Sequence, residues 1–495
     1  MQYGTVPGGA SVWNHQNRLN KLRCPAPTGQ LSWVSLRPFD GEPASPILTG
    51  MSHGGPISTK TKTVRLNGGS AVRTVECDLC VVGAGISGVS AALEAAALGR
   101  EVVLVDGLPA LGGQAVNSII GTFCGLFSNG THGYQFTHGV ADRILHDLDA
   151  GGALHFRHGP MTTVVYYDEV ALARWVEKAV LAADITPIVG AVLRKVHADH
   201  RRIETLGLST RYGDVELRAN GFVDSSGDAA LTWQAGLECR EPEDGPLYGS
   251  QMIVVEGIHE EHQPTRDELA ERVGEKADEY GLVRKNGIAF YFPGRGTAVL
   301  NITHVETPLD PLEASRKGIE GKDQADRAVE FVRKEFPKAF GDTKVRSYGF
   351  PGIRQTRWIK GRHQIGVDEV RAGRRYDDAI ARTAWPIELH NRATGYVWET
   401  FDEDHVHYVP FSAMTPPEVD NLVAVGRCID GDPAALSSVR VMGPCIAMGA
   451  AAAHALDLAG SGSVHQIDIT ALQERVKDNL ERTDRTPHRG EKAER

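Results

Sequence analysis

The chain has 495 residues, 41% of them hydrophobic and 23% charged, and a formal net charge of −10. Its length predicts two or three domains, because one compact core rarely holds so many residues. The acidic balance argues against a nucleic-acid-binding protein, and no apolar run or N-terminal pattern predicts a membrane span or a secretory signal.

Residues 1–73 are rich in Gly, Pro, Ser and Thr, which predicts a poorly ordered extension or a strap over the body. The seven cysteines of the chain are sparse and odd in number, as suits a reducing cytoplasm. Cys77 and Cys80 lie three apart in a predicted strand and therefore point to opposite faces, so we interpret them as packing residues. No cysteine cluster has metal-ligand spacing, and we predict no metal site.

A glycine-rich turn between two apolar segments is the most informative motif. It reads Gly-Ala-Gly-Ile-Ser-Gly over residues 83–88, between the predicted strand Cys77–Val82 and the predicted helix Val89–Leu98. A second predicted strand, Glu101–Asp106, follows that helix and ends on an acid. This order of strand, glycine turn, helix, strand and acid is typical of a dinucleotide-binding unit.

Each motif residue has a physical role in such a unit. Gly83 permits the tight turn, Gly85 lets the backbone approach a pyrophosphate, and Gly88 lets the helix pack on the strand. The helix N-terminus presents free N–H groups and a partial positive charge to phosphate. Asp106 can accept hydrogen bonds from a ribose diol.

Further elements follow in chain order. Closely spaced glycines in the predicted loop Leu108–Gly133 suit backbone approach to a ligand. Asp168 is predicted to cap a helix. The later predicted elements are the helix Glu169–Ala183, the strand Ile185–Val189, a meander of Ala191–Ala198, Arg202–Thr210 and Val215–Ala219, a buried strand at 221–224, the hairpin Ile288–Phe292 and Thr297–Ile302, the helix Ala325–Glu335, the strand Asn421–Gly426 and the helix Gly443–Leu456.

This order predicts a discontinuous dinucleotide-binding domain. Residues 74–235 begin it and residues 415–462 complete it, while residues 236–414 form an inserted substrate-facing domain. Residues 463–495 are expected to form a C-terminal helix and a charged tail that frays.

Several blocks of the chain resemble one known group of proteins. The chain resembles the FAD-dependent oxidoreductase family of the glutathione-reductase-like flavoprotein superfamily, near heterodisulfide-reductase and fumarate-reductase relatives. The matching blocks are Val81–Gly88, Leu111–Gln114, Val223–Leu231, Gly352–Gly361, Gly373–His390 and Asn421–Gly449. The resemblance implies an α/β fold, with a Rossmann-like FAD-binding domain and an inserted α+β substrate domain.

The resemblance also implies FAD as cofactor and a set of contacts to it. Val192 would meet the adenine through its backbone, Gly112 and Gly113 the phosphate or ribityl region, and Asp430 the ribityl chain. The alternative is that such a glycine closes a turn and that Asp430 caps the next segment. The implied contact residues are Gly83, Gly85, Ser87, Gly88, Asp106, Gly112, Gly113, Gln114, Val192, Gly227, Gly426, Arg427, Asp430, Met442 and Gly443.

The helix predicted from Gly443 directs its unpaired N–H groups at whatever precedes it, which in related flavoproteins is the N1–O2 edge of the flavin ring. Glu388 and His390 lie two apart in a predicted strand and would face one side; His405 and His407 have the same spacing. A histidine with a pKa near neutral suits a general base, and the resemblance places these motifs beside the ring. We rank His390 first and His407 second.

The arginines of the matching blocks are candidates for anion recognition. Arg440, beside the predicted flavin-facing helix, would meet either a substrate acid or the flavin, and Arg354 and Arg357 could instead pair with nearby acids. Cys428 and Cys445 are interpreted as packing residues, although a reactive pair in space stays open.

The resulting prediction is a cytoplasmic FAD-dependent oxidoreductase, either a dehydrogenase or an oxidase, that moves a hydride between a small-molecule substrate and flavin N5. Oxygen or an electron carrier would be the second substrate, and a homo-oligomer stays open. The alternatives are a flavin-dependent monooxygenase and a non-catalytic flavin-binding scaffold.

Overall fold

The computed structural model describes residues 61–63, 72–130, 133–159 and 161–482. All of the helices and strands below belong to the compact unit Gly68–Arg495. The predictions for the N-terminal extension and for the end of the charged tail therefore lie almost wholly outside the described residues.

A seven-stranded sheet organises the nucleotide-motif part of the fold. Its central strands are parallel, since β1 pairs in parallel with both the strand that follows the first helix and the strand that ends at Asp224. In spatial order the sheet consists of β6 (Thr186–Val189), β2 (Val102–Asp106), β1 (Arg73–Val82), β9 (Gly213–Asp224), β8 (Arg202–Thr210) and β7 (Val192–Asp199), with β21 (Leu422–Ala424) also paired to β9.

The remaining strands are antiparallel. The middle of the chain supplies a five-stranded sheet of β12 (Ile288–Phe292), β13 (Thr297–Asn301), β11 (Tyr248–Glu256), β14 (Val305–Glu306) and β15 (Lys344–Gly352). The smaller sheets are β3 (Thr122–Phe123) with β5 (Thr163–Tyr167) and β4 (Leu154–His158), β10 (Cys239–Arg240) with β16 (Trp358–Ile359), β17 (Ala379–Thr383) with β20 (His407–Pro410), and β18 (Ile387–Arg392) with β19 (Gly395–Glu399).

Helices cover the sheets, so the molecule is mixed α/β. The α-helices are α1 (Ile86–Ala97), α2 (Gly113–Asn117), α3 (Val140–Ala150), α4 (Glu169–Ala182), α5 (Ala230–Gln234), α6 (Arg266–Lys276), α7 (Pro311–Glu335), α8 (Pro337–Phe340), α9 (Val367–Arg371), α10 (Pro433–Val439), α11 (Met442–Ala459) and α12 (Ile469–Arg475).

Local sequence explains much of this arrangement. The apolar ends of β1 and β2 are buried and pair in register from Leu79 opposite Val102 onward. The carboxylate of Asp168 accepts the backbone N–H of Ala171 at 2.8 Å, which confirms the predicted cap of α4. The predicted hairpin is confirmed as β12 and β13.

Three predicted boundaries are wrong. The last meander strand and the strand at 221–224 form one strand, β9, because its first half pairs with β8 and its last residues with β21. The expected loop Leu108–Gly133 contains α2 and β3. The helix expected from Ala325 begins at Pro311, where Asp310 accepts the N–H groups of Leu312 and Glu313.

Within the described residues α11 is, by length and composition, apolar enough to cross a membrane, contrary to our expectation, with a mean hydropathy of 1.2. Of that window, 72% is buried inside the molecule, as in a core helix. Helix α11 packs directly against α1: a Cβ on Gly449 would lie only 2.2 Å from the Ser87 carbonyl oxygen of α1.

Candidate functional site

A cavity of about 1230 Å³ lies between the seven-stranded sheet and the antiparallel sheets. Sites for drug-sized ligands are typically about 300–1,000 Å³, so this cavity has room for a larger ligand or for two. Its walls come from the glycine turn after β1, from the ends of β2 and β9, and from β11, β12, β18 and β19.

In the glycine turn after β1, one glycine has room for a side chain and the other two are closely packed. Gly83 has φ of +104°, and a Cβ there would lie 2.3 Å from the Ser225 carbonyl oxygen. A Cβ on Gly88 would lie 1.9 Å from the carbonyl oxygen of Gly83. Gly85 has no such neighbour within 4 Å, and it lines the cavity. No side chain caps α1, so its first N–H groups are available to an anion.

Asp106 connects the end of β2 to this turn. One of its carboxylate oxygens accepts the Ala84 N–H at 2.6 Å, and the other accepts the Leu108 N–H at 2.7 Å. Burial raises the pKa of Asp106. Asp106 and Val192, the first residue of β7, line the same cavity. Both residues predicted to contact the nucleoside are therefore on its wall.

The second glycine pair packs against the first glycine turn. A Cβ on Gly113 would lie 2.6 Å from the Cα of Gly85, and a Cβ on Gly112 would lie 2.3 Å from the Val116 side chain. Gly113 and Gln114 line the cavity, whereas Gly112 does not. The two glycine-rich segments therefore approach each other closely beside one binding space.

The N-terminus of α11 meets the loop after β3. The Gly443 N–H donates to the Cys124 carbonyl at 2.9 Å, and a Cβ on Gly443 would lie 2.2 Å from the Gly125 carbonyl oxygen. This contact uses Gly443 in packing, and it does not line the cavity. Ser87, Met442 and Gly426 do line it.

Arg427 brings a cation into the same space. Its guanidinium covers Gly227, where a Cβ would lie 2.3 Å from an Arg427 nitrogen. One Arg427 Nη atom is buried without a hydrogen bond, and it lies 3.6 Å from the Asp228 carboxylate. Such a donor fits an anionic ligand group.

The structure does not bring Asp430 to the cavity. One of its carboxylate oxygens accepts Arg240 Nε at 2.8 Å, and the other accepts the Gly361 N–H at 2.8 Å. Asp430 is fully buried in these contacts and does not line the cavity, where we expected it to contact the ribityl chain.

Glu388 lies on β18 and faces the cavity. Its Oε2 accepts Trp385 Nε1–H at 3.1 Å, and its Oε1 lies 3.1 Å from His390 Nε2. The predicted meeting of these two side chains on one side of β18 is therefore confirmed. His390, however, is 2% exposed and does not line the cavity, so it lies behind Glu388.

A chain of hydrogen bonds continues from His390 into the interior. His390 Nδ1 lies 2.9 Å from His304 Nε2, and His304 Nδ1 lies 2.8 Å from the Ala393 carbonyl oxygen. A carbonyl only accepts, so His304 Nδ1 donates to it, and His390 Nδ1 donates to His304 Nε2. His390 Nε2 is then the ring nitrogen that faces the Glu388 carboxyl group.

The expected near-neutral histidine pKa is wrong for these residues. Burial, with the Arg354, Arg284 and Arg440 guanidiniums, holds the pKa of His390 well below its usual range. Burial lowers the pKa of His304 to about 2. Neutral imidazoles of this kind serve to orient the carboxyl group in front of them.

The structure does not bring His407 to the cavity. Its Nε2 lies 2.8 Å from Ser438 Oγ, whose hydroxyl donates to the Trp385 carbonyl, and its Nδ1 lies 3.1 Å from His405 Nε2. Burial lowers the pKa of His407 to about 3. Through its hydrogen bond to Ser438, His407 connects strand β20 to helix α10.

The predicted arginines separate into two groups. Arg354 and Arg440 line the cavity, whereas Arg357 lies outside it, pairs with Glu241 at 2.8 Å and covers the Trp233 ring. Arg284, which was not predicted, also lines the cavity. Neither Arg284 nor His304 lies in a block that resembles the family, so neither was a candidate.

The cysteines near the glycine turns are thiols in packing contacts. Cys428 Sγ accepts the Gly227 N–H at 3.1 Å, and Cys445 Sγ donates to the Arg440 carbonyl at 3.1 Å. Burial raises the pKa of Cys445 to about 12 and that of Cys428 well above its usual value. Both thiols are free, so they form no disulfide pair.

The residues on the cavity wall fit a flavin dinucleotide. A glycine with room beside it, the uncapped N-terminus of α1, an acid after β2 and a guanidinium nitrogen without a hydrogen bond are groups that suit a diphosphate and a ribose.

Comparison with known proteins gives a family and several distant structures. A family model described as FAD dependent oxidoreductase matches residues 78–476. None of the curated proteins gives a significant match.

The similar solved structures share little sequence with this chain. A geranylgeranyl bacteriochlorophyll reductase-like protein from Thermoplasma acidophilum is 14% identical, with a TM-score of 0.45, over 82% of this chain and 86% of its own. The p-nitrophenol 4-monooxygenase PnpA from Pseudomonas putida DLL-E4 is 13% identical, with a TM-score of 0.43, over 82% and 84%. The flavin-dependent brominase Bmp2 is 12% identical, with a TM-score of 0.41, over 82% and 83%.

Proposed function

The chain belongs to the FAD dependent oxidoreductase family, with FAD as its cofactor, and on that premise we propose that it moves a hydride between a small organic substrate and N5 of the flavin. It acts as a dehydrogenase or an oxidase. We further propose that the seven-stranded sheet belongs to a Rossmann-like, glutathione-reductase-like FAD domain. The parallel β1–α1–β2 unit and the glycine turn support this subclass.

Two helix ends and three side chains would hold the cofactor. The N-terminus of α1 at Gly85 would bind the diphosphate, and Asp106 would bind the ribose. Arg427 and the uncapped N-terminus of α11 would place positive charge beside the ribityl chain and the ring. Gln114 would contact the same region from the cavity wall.

FAD, when bound, supplies a two-electron centre that takes or releases a hydride. Glu388 would handle the accompanying proton: an ionised Glu388 accepts the O–H or N–H proton of a substrate that is oxidised, and a protonated Glu388 returns a proton to a double bond that is reduced. His390 acts through Glu388 as a positioning residue, because its 3.1 Å contact fixes the carboxyl orientation. Trp385 fixes the second carboxylate oxygen.

The observation that carries the proposal is that one cavity contains both the open Gly85 and the Glu388 carboxyl group. The test is an anaerobic titration of the purified yellow protein with a metabolite panel, following the loss of flavin absorbance. Bleaching by a small organic compound, and recovery in air or with an electron carrier, is the expected result.

The same titration separates the alternatives. Rapid bleaching by NADPH without any substrate would favour a flavin-dependent monooxygenase. A protein that retains FAD but is bleached by nothing in the panel would favour a non-catalytic scaffold, and the hydride-transfer proposal would then be wrong.

The chain is also proposed to be cytoplasmic, because the six cysteines among the described residues are free thiols. The division into residues 74–235, 236–414 and 415–462 stays a prediction, as does a homo-oligomer.

A further inference from the structure

Guanidinium groups crowd the part of the cavity wall around Glu388. Arg284, Arg354 and Arg440 all line the cavity, and the charge of Glu388 acts on each of them. Burial lowers the pKa of Arg354 to about 9 and that of Arg440 to about 10. Several cations therefore share one neighbouring carboxyl group.

Arg284 is held by neutral groups only. Its Nε donates to Asn286 Oδ1 at 2.5 Å, and one Nη donates to Asn301 Oδ1 at 2.9 Å. Its guanidinium carbon lies 5.3 Å from the centre of the Tyr396 ring, which stacks on His390 at 4.6 Å. The side chain is 2% exposed, yet its charge has no carboxylate in hydrogen-bond contact among the described residues.

Arg354 is held in the same way. One Nη donates to the Tyr248 carbonyl at 2.7 Å, and the other donates to Ser250 Oγ at 3.1 Å. Each bond fixes the planar group without neutralising it. Two oriented guanidiniums that face one cavity form the donor arrangement that recognises a carboxylate through paired hydrogen bonds.

The other carboxylates on the described cavity wall do not balance these charges. Asp106 accepts two backbone N–H groups, Asp228 accepts the Thr356 hydroxyl, and Glu306 pairs with Lys317. Glu388 is a single carboxyl group and cannot neutralise three cations. Burying a charge without an opposite charge is costly, so a bound anion would stabilise this arrangement.

Aromatic rings complete the surroundings of this cluster. Trp398 lies opposite Glu388 across the β18–β19 hairpin, and Tyr166 and Phe290 contact each other at 5.1 Å between ring centres. All of these rings line the cavity. Such walls suit the apolar body of an organic molecule.

We propose that the substrate is an organic carboxylate with an apolar body, whose carboxylate group binds Arg284 and Arg354 while its reacting end lies against Glu388. This inference rests on the proposed hydride-transfer function and assigns its substrate class. Arg440 lies two residues before α11, and we assign it to the flavin side of the cavity.

The test uses the FAD-loaded protein and measures binding without turnover. Benzoate and phenylacetate are titrated against the neutral benzamide and benzyl alcohol, following the perturbation of the flavin absorbance and the melting temperature. We expect the two carboxylates to bind and the two neutral analogues to bind at least about 10-fold more weakly, as expected for loss of a charge-assisted hydrogen bond.

Variants locate the binding site. Arg354→Gln should weaken benzoate binding by about 10- to 100-fold, and Arg354→Lys should restore part of it, because lysine keeps the charge and loses the fork. Arg284→Gln should weaken benzoate binding to a similar extent. If the Arg284→Gln protein does not fold, Arg354→Gln alone tests the site. Arg357→Gln, outside the cavity, is the matched control and should bind benzoate like the wild type.

The outcomes separate this inference from the proposed function. A yellow protein that binds no carboxylate, or an Arg354→Gln variant that binds benzoate as well as wild type, overturns the substrate class and leaves hydride transfer standing. Carboxylate binding with no bleaching by any substrate would support the anion site and refute hydride transfer.

Discussion

Replacing Gly85 with valine tests the cofactor site most directly. The backbone of Gly85 has φ of −70° and ψ of 178°, which a valine adopts without strain. No heavy atom outside its chain neighbours lies within 4 Å of the Cβ position. The substitution should therefore cost only about 1 kcal/mol of stability, through loss of a favoured N-cap residue.

The cofactor, in contrast, should be lost. The added side chain projects into the cavity where the diphosphate must approach the N–H groups of α1. Loss of about two hydrogen bonds to a charged group, at about 1.5–3 kcal/mol each, removes about 3–6 kcal/mol of binding free energy. This corresponds to a Kd for FAD raised by about 10² to 10⁴.

The assay compares the FAD-to-protein ratio after purification and the rise in melting temperature on adding FAD. Gly274→Val is the matched control, since Gly274 is an exposed residue of α6 whose Cβ would lie 3.5 Å from the nearest atom. Gly88→Val should instead fail to fold, because its Cβ would overlap the Gly83 carbonyl. A Gly85→Val protein that purifies fully yellow would refute the proposed diphosphate site.

Four other substitutions test the site and the buried residues around it. Glu388→Gln should slow flavin reduction by about 10²- to 10⁴-fold with FAD content unchanged. His390→Gln should slow flavin reduction less and should shift the pH profile of the rate, because His390 acts through Glu388. Equal stopped-flow reduction rates in the wild type and both variants would contradict this. His407 has a pKa of about 3 in the folded chain against an ordinary 6.5, so the unfolded chain binds more protons between these values. Stability should fall by about 2 kcal/mol between pH 7 and pH 5 through this residue, and His407→Gln should flatten that slope in urea unfolding. Asp430→Ala should lower the free energy of unfolding by about 2–4 kcal/mol and spare FAD content; loss of FAD at unchanged stability would restore its expected ribityl role.

Local patterns predicted the parts of the fold that depend on neighbouring residues. The β1–α1–β2 unit follows from apolar runs, glycines and an acid in one stretch of chain. The start of α7 was missed although Asp310 and Pro311 form a readable cap and first-turn signal. In that case the information was present in the sequence.

The arrangement around Glu388 could not be predicted from local sequence. Arg284 and His304 come from the ends of the five-stranded sheet, far along the chain from β18, and nothing in their own segments indicates burial. Asp430 was assigned to the cofactor because its segment resembles a cofactor block, but its partner Arg240 comes from β10. Such contacts arise only from tertiary packing.

The late strand β21 has a consequence for biosynthesis. Strand β9 ends at residue 224 and leaves the ribosome long before residues 422–424. Until those residues are made, nothing pairs with the edge of Phe222–Asp224 that β21 occupies in the folded chain. Until then the nascent chain carries an unpaired strand edge, which invites aggregation, and its nucleotide cradle lacks the segment that follows β21. Loading of the cofactor is therefore expected only near the end of translation, and truncated products should depend on chaperones.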